Sequence, residues 1–296
     1  MQPMIVLFGK KGQVGYELSL YLQTIGHVIA FDTEDADFTR PESVTQILRR
    51  YSPRIIVNAA AYTAVDKAES DEQNAFLVNA ETPRILAEYA AAEQAVLIHY
   101  STDFVFDGKL DRPYRESDAA SPLGVYGKTK LQGDQAILAS GAAAIIFRTS
   151  WVYGMRGKNF LLTMLRLAHE REQMKVVDDQ LGSPVWCRHI AMTTQMVLQK
   201  LIQQFPDLQN IDAQYLGLFN LTAADHTSWY HFARRILELD PEQSSQVCHD
   251  FQPISSSAYP TPAARPQWSV LDNQKIADIY GLSMPGWEEQ LKQCMG

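Results

Sequence analysis

Cysteine is scarce in this chain. Only Cys187, Cys248 and Cys294 occur, an odd number at wide spacings, which gives neither a disulfide framework nor a zinc pattern. Reduced thiols in a cytoplasmic protein are the simplest reading. Positive charge is in deficit, with 26 Lys and Arg against 34 Asp and Glu for a net charge of −8. Neutralising a phosphate backbone needs a basic face, so no nucleic-acid partner is expected. A small anionic substrate needs only local positive charge. Long apolar runs are missing too. The run after Pro3 ends at Phe8, too short for a signal segment or a membrane span, and no membrane partner is expected. The seven histidines show no metal-ligand spacing. Neither an internal repeat nor a low-complexity tract stands out.

What is present suffices for a sizeable core: 46% of the residues are apolar. The 296 residues suggest about two domains at roughly 150 residues each. Short apolar runs at Met4–Phe8, Val28–Phe31, Ile55–Asn58, Val96–Tyr100 and Ile145–Arg148 read as strands. Helical spacing lies between them: Val14, Leu18, Tyr21, Leu22 and Ile25, then Pro41 to Tyr51, then one long pattern from Asp71 to Gln94. This alternation predicts an α/β fold, a doubly wound parallel sheet covered on both faces. After residue 150 the pattern changes. Helices are expected near Phe160–Glu172, His189–Gln203, Ser228–Leu239 and Trp287–Cys294, with a short strand at Lys175–Val177. The stretch Gln252–Gln267, rich in proline and serine, reads as a long loop or linker. The expected division is a dinucleotide-binding domain over 1–150, with later segments returning to it, and a smaller substrate lobe over 151–296.

The first strand runs into Gly9-Lys10-Lys11-Gly12-Gln13-Val14-Gly15. Gly9 permits a tight turn, Gly12 lets backbone approach a pyrophosphate, and Gly15 allows close packing of helix on strand. A helix N-terminus then offers free N–H groups to an anion. The GxxGxxG spacing differs from the usual GxGxxG, and a glycine turn that binds nothing is the alternative. Asp32 closes the second strand, 23 residues after Gly9. It either accepts the hydroxyls of an adenosine ribose or caps a loop in an acidic stretch. Lys10 and Lys11 next to it can attract a 2′-phosphate, so NADH and NADPH both remain open. Asn58-Ala59-Ala60-Ala61 ends the third strand with small side chains, and Asp37-Phe38 can border an adenine; ordinary core packing is the other reading.

Tyr126 and Lys130 stand four apart, on one face of a helix. A tyrosine is a poor acid–base group at neutrality, and a neighbouring ammonium is expected to shift it toward working pH. Ser101-Thr102-Asp103 follows the fourth strand, putting a hydroxyl at its carboxyl end. Strand end, hydroxyl and Tyr/Lys helix beside a dinucleotide turn point to hydride transfer to a carbonyl, with an acid protonating the developing alkoxide. Trp151 just past the fifth strand offers a flat apolar face to a hexose, or fills core. Arg265 has a planar fork suited to a diphosphate, or to a surface salt bridge. Asp178, Asp179 and Gln180 either line the cleft or shape a turn.

The segments LFGKKGQVGYEL, IIVNAAAYTAVDKAE, HYSTDFVFDG, SPLGVYGKTKLQGD, FRTSWVYG, VVDDQLGSP and AYPTPAARPQWSVLD span nearly the whole chain. Through them it resembles the extended short-chain dehydrogenase/reductase family, and within it the dTDP-4-dehydrorhamnose reductase branch; the last four segments separate that branch from relatives. The resemblance implies reduction of the 4-keto group of a dTDP-linked sugar, dTDP-4-dehydro-L-rhamnose, by NADPH or NADH, in nucleotide-sugar synthesis for cell-surface polysaccharide. It implies Tyr126 as proton donor, Lys130 as holder of the nicotinamide ribose and Thr102 as partner of the carbonyl. Asp103 and Trp151 match sugar-contact positions. Gly12, Gln13 and Val14 match the pyrophosphate positions, and Asp32, Asp37, Phe38, Ala61, Tyr62, Thr63 and Tyr100 other cofactor contacts. Two departures are Lys11, where many relatives have a smaller residue, and Tyr62, where histidine is frequent. Some relatives are dimers bridged by Mg2+ through acidic residues. Glu288 and Glu289 are acidic but do not align clearly, so no metal ligand is assigned, and Mg2+ and a homodimer stay open.

Two rival readings remain. One is another enzyme of the same fold. A dehydratase would want two acidic residues after Thr102, whereas Asp103 is followed by Phe104; a 4-epimerase would retain NAD tightly. The other is a non-catalytic regulatory subunit like that of methionine adenosyltransferase, which would have no use for Thr102, Tyr126 and Lys130 together.

Overall fold

The computed structural model describes residues 2–296. Its centre is a sheet of parallel strands: β1 (Met4–Phe8), β2 (His27–Phe31), β3 (Ile55–Asn58), β4 (Val96–Thr102), β5 (Ala143–Thr149) and β6 (Gly217–Asn220). Their order is β2-β1-β3-β4-β5-β6. Because β1 has β2 on one side and β3 on the other, the connections diverge at its carboxyl end and leave a crevice there.

Both faces of the sheet are covered, which is why its strands read as unbroken apolar runs. On one face Ile5, Leu7, Val57, Ile98 and Phe147 pack beneath Leu18 and Val197. On the other Val6, Phe8, Ile56, Leu97 and Ile146 meet Val44, Leu86 and Ile137. The second face belongs to the helices Pro41–Tyr51, Thr82–Glu93 and Val125–Ala139. Strand alternation continues to the carboxyl ends, so Asn58 and His99, two residues after Ile56 and Leu97, turn toward this same layer.

A second apolar cluster outside the sheet joins Tyr153, Leu161, Val176, Phe232, Ile236 and Leu291. It lies between the helices Phe160–Glu170, Trp229–Glu238 and Trp287–Met295. Here the structure corrects the proline-rich linker. Its first residues extend the strand Asp250–Ile254, which pairs in parallel with Gln173–Val177, Pro253 opposite Val176. A two-stranded ribbon is all edge, so a proline is tolerated in it. The expected helix from Asp71 to Gln94 is also interrupted. Helical turns at Glu72–Phe76 and Thr82–Glu93 are joined by a π-turn at Leu77–Glu81, which re-aims Asn79. Among the described residues no helix is long and apolar enough to cross a membrane.

Candidate active site

The glycine turn sits at the crevice. Gly9 takes φ +87°, a left-handed conformation that suits glycine. A Cβ on it would lie 2.8 Å from the Ala59 carbonyl, and one on Gly15 only 2.0 Å from the Gly9 oxygen. Strand, turn and helix therefore close to a distance no side chain permits. The helix Gln13–Tyr21 begins after Gly12 with no side-chain cap and no acidic residue in its first turn. Its leading N–H groups are left for an anion. Gln13 is tied across to the second lobe, where its Oε1 accepts from Asn159 Nδ2 at 2.8 Å. Val14 packs into the apolar clusters of both lobes.

Gly9, Asp32, Asp37, Phe38, Ala61 and Tyr62 line one pocket at the ends of β1 and β2. The pocket has acids at its rim and a phenylalanine wall. Asp32 accepts from the Thr33 N–H at 2.8 Å and pairs with Lys11 at 3.3 Å. Glu34 and Asp32 together hold the Lys11 ammonium above its ordinary range. Asp37 accepts from the Thr39 hydroxyl and from Arg40, which hold its carboxyl low. Phe38 is core as well as wall, edge-on to Phe8 at 5.4 Å. Asn79, delivered by the π-turn, accepts from the Tyr62 N–H at 2.9 Å and donates to Thr129. The Tyr62 hydroxyl is spent on Asp71, and Thr63 is exposed.

The acid–base groups gather where β4 and β5 end. Thr102 and Thr149 are register partners, and the helix Val125–Ala139 lays Tyr126 and Lys130 over this edge. The Tyr126 ring stands edge-on to Phe104 at 5.6 Å, and Phe104 in turn donates its backbone N–H to the Thr102 hydroxyl. Burial pushes the phenol up to about 12. The expected lowering by Lys130 is therefore corrected. Among the described residues the Lys130 amine contacts the Tyr100 carbonyl, at 2.7 Å, and His99, at 3.2 Å, rather than the phenol. A phenol held protonated is the right form for a proton donor. Lys130 itself is buried and pushed down to about 8. Tyr100 offers this site its carbonyl only; its hydroxyl goes to Thr194 at 2.8 Å.

Asp103 is buried beside Thr102. The Thr102 and Ser150 hydroxyls donate to it, yet burial prevails and raises its carboxyl to about 6. Trp151 does not offer a free flat face. Trp229 stacks on it at 3.5 Å, and a Cβ on Gly182 would sit 2.5 Å above the ring, so the ring presents its edge. Arg265 grips Asp66 with both terminal nitrogens, at 3.1 and 2.8 Å, and holds that carboxyl low. Asp178 accepts from Ser228, and Asp179 accepts from the backbone and hydroxyl of Ser256. Sequence reasoning missed Asn79, His99, Ser150 and Trp229. The one available signal was His99, a polar residue inside an apolar strand that must find a partner.

The uncapped glycine turn and the pocket beside it fit a dinucleotide. Among the described residues no three His, Cys, Asp or Glu side chains are grouped to hold a metal ion. Glu288 approaches Arg235 at 3.8 Å, and Glu289 accepts from Gln293.

Residues 3–296 match the family model described as the RmlD substrate binding domain. A dTDP-4-dehydrorhamnose reductase of Burkholderia thailandensis is 41% identical over 98% of this chain and 97% of its own. One from Escherichia coli K12 is 42% identical over 98% and 96%. Among solved structures, dTDP-4-dehydrorhamnose reductase from Bacillus anthracis, in complex with NADP, superposes with a TM-score of 0.87 at 31% identity, covering 99% of each chain. UDP-glucose 4-epimerase of Thermus thermophilus, at 15% identity and a TM-score of 0.79, shares the fold.

Proposed function

This chain belongs to the family of the RmlD substrate binding domain, and from that membership we propose that it is an NAD(P)H-dependent dTDP-4-dehydrorhamnose reductase. It reduces the 4-keto group of dTDP-4-dehydro-L-rhamnose to the hydroxyl of dTDP-L-rhamnose. The observation that carries this reading is the placement of Thr102, Tyr126 and Lys130 at the ends of β4 and β5, with Tyr126 against Phe104 and Lys130 on the Tyr100 carbonyl, beside an uncapped helix N-terminus.

The bound dinucleotide supplies the hydride. The chain supplies everything that steers it. The turn from Gly9 to Gly15 receives the pyrophosphate, and the Asp32–Asp37–Phe38–Ala61–Tyr62 pocket receives the adenosine. The Tyr126 hydroxyl holds the keto oxygen, and Thr102 joins it only by turning its one hydrogen away from Asp103. As hydride adds to the carbonyl carbon, that oxygen takes the Tyr126 proton, so no free alkoxide accumulates. Lys130 positions the ribose next to Tyr126. Asp103 and the edge of Trp151 meet the hexose. Arg265 reaches a diphosphate only by sharing or leaving Asp66.

In this reading residues 1–150, with β6 returned to their sheet, hold the dinucleotide, and most of 151–296 holds the sugar nucleotide. A cytoplasmic setting agrees with three unpaired thiols, and a net charge of −8 is unsuited to binding polyanions. A homodimer is compatible with it and is checked by analytical ultracentrifugation. The substrate is tested by following NADPH and NADH oxidation with dTDP-4-dehydro-L-rhamnose against UDP- and GDP-linked 4-keto sugars. Preference for the dTDP sugar is expected; equal rates with all three would remove the base from the assignment.

A further inference from the structure

Behind Lys130 lies a chain of polar groups that the proposed reaction does not itself use. Asn58 and His99 are register partners on β3 and β4, and His99 is fully buried. The Ala60 backbone N–H donates to Asn58 Oδ1 at 3.1 Å. A backbone N–H can only donate, so the atom it faces is the amide oxygen, and the other end of the side chain is NH2. That NH2 lies 3.0 Å from His99 Nδ1, which must accept. Burial, helped by the charge of Lys130, holds His99 well below its ordinary range, as a neutral ring. A neutral ring that accepts at Nδ1 carries its hydrogen on Nε2. Nε2 is 3.2 Å from Lys130 Nζ. An ammonium there would set donor against donor. An amine accepts the Nε2–H in its lone pair and still donates to the Tyr100 carbonyl.

We propose that Asn58 and His99 are positioning residues that present a fixed N–H to Lys130, so that the hydrogen-bond network is complete only when Lys130 is a neutral amine. The orientation is set three groups away, by the Ala60 N–H. Other charged groups pull the opposite way. On the same helix Asp134 favours the ammonium, but it is itself paired with Arg148 of β5 at 3.4 Å. Tyr126 faces the site from that helix as a neutral phenol, and Asp103 stands at the end of β4. Burial outweighs Asp134, and Lys130 titrates near 8. The relay and burial therefore favour the same form, the neutral amine.

The relay's effect on turnover rests on the reductase reading; the state of His99 does not. The full chain labelled with 15N-histidine shows both by long-range 1H–15N spectra and kinetics. Wild-type His99 is expected as the Nε2–H tautomer, neutral from pH 6 to 9. Asn58→Asp keeps the side-chain shape but replaces NH2 with a second acceptor. The hydrogen then moves to Nδ1, Nε2 accepts from an ammonium, and the alkaline limb of kcat/KM moves up by about one pH unit or more. A wild-type His99 found as Nδ1–H or as imidazolium overturns the relay. So does an Asn58→Asp chain whose tautomer flips while the limb stays in place. A wild-type chain that turns over no 4-keto sugar counts against the reductase reading, and the tautomer still decides the relay.

Discussion

Trp151 and Trp229 lie face to face, ring centroids 3.5 Å apart and planes 8° from parallel. Trp151 adopts φ +46° to hold this position. A positive φ on so bulky a residue costs on the order of 1–3 kcal/mol and persists where its surroundings over-determine it. Here the surroundings are Trp229 on one face and Gly182 on the other, with Phe160 behind Trp229 at 4.5 Å. The clamp fixes the setting of the indole.

Gly182→Ala tests that clamp. Its Cβ would sit 2.5 Å from the indole, so Trp151 must shift. KM for the sugar nucleotide is expected to rise about tenfold, the scale of one lost contact, while the Kd of NADPH stays within twofold of wild type. Steady-state kinetics and a fluorescence titration separate the two. An unchanged KM would detach Trp151 from the substrate.

Tyr126→Phe removes the proton donor and leaves its ring against Phe104. A fall in kcat of about a hundredfold or more is expected, the size of a lost general acid, with NADPH binding intact by calorimetry. Undiminished turnover would take Tyr126 out of the reaction.

Asp32 shares its carboxylate between the Thr33 N–H and Lys11. Where it takes the ribose hydroxyls, Asp32→Ala weakens NADH more than NADPH. With a 2′-phosphate in that place Lys11, freed from Asp32, gains a partner. Dissociation constants for both dinucleotides decide this, and equal losses would argue against the ribose role.

Asp103 gives a pH dependence of stability with a definite sign. Its carboxyl titrates near 6 when folded, against 3.8 for an ordinary aspartate, so the folded chain holds this proton more tightly. Its stabilising contribution is fully present below about pH 4 and is lost as the pH rises through about 6. The full change is about 3 kcal/mol. Urea titrations from pH 4 to 7 should therefore show Asp103→Asn gaining on wild type as the pH rises. A constant difference between the two would mean that Asp103 is already ionised throughout.

Much of the sheet can be read from the sequence because β1 to β5 are short apolar runs set between helical patterns. β6 escapes that reading: Gly-Leu-Phe-Asn is four residues long and shows neither alternation nor a strong flanking signal. The π-turn at Leu77–Glu81 escapes for another reason. Its residues suit an α-helix, and only contacts of Asn79 with Tyr62 and Thr129 single it out. The same divide runs through the site. The glycine turn and the Tyr126/Lys130 spacing are local patterns, visible within a few residues. Asp66 and Arg265 stand 199 residues apart, and Asn58 and His99 stand 41 apart. No local pattern joins such pairs, and only the register of the sheet and the path of the loops do so. The phenol of Tyr126 is the instructive case. Its spacing from Lys130 is legible, but the turn of Lys130 toward His99 and Tyr100 is a property of the packed interior.

Net reduction consumes one dinucleotide for each sugar. With purified chain, dTDP-4-dehydro-L-rhamnose and limiting NADPH, oxidised dinucleotide released to solution is counted against hydroxyl sugar formed, by absorbance and chromatography. One equivalent of each per turnover is the predicted result. Sugar converted without release of oxidised dinucleotide would contradict the reductase account and point to an epimerase.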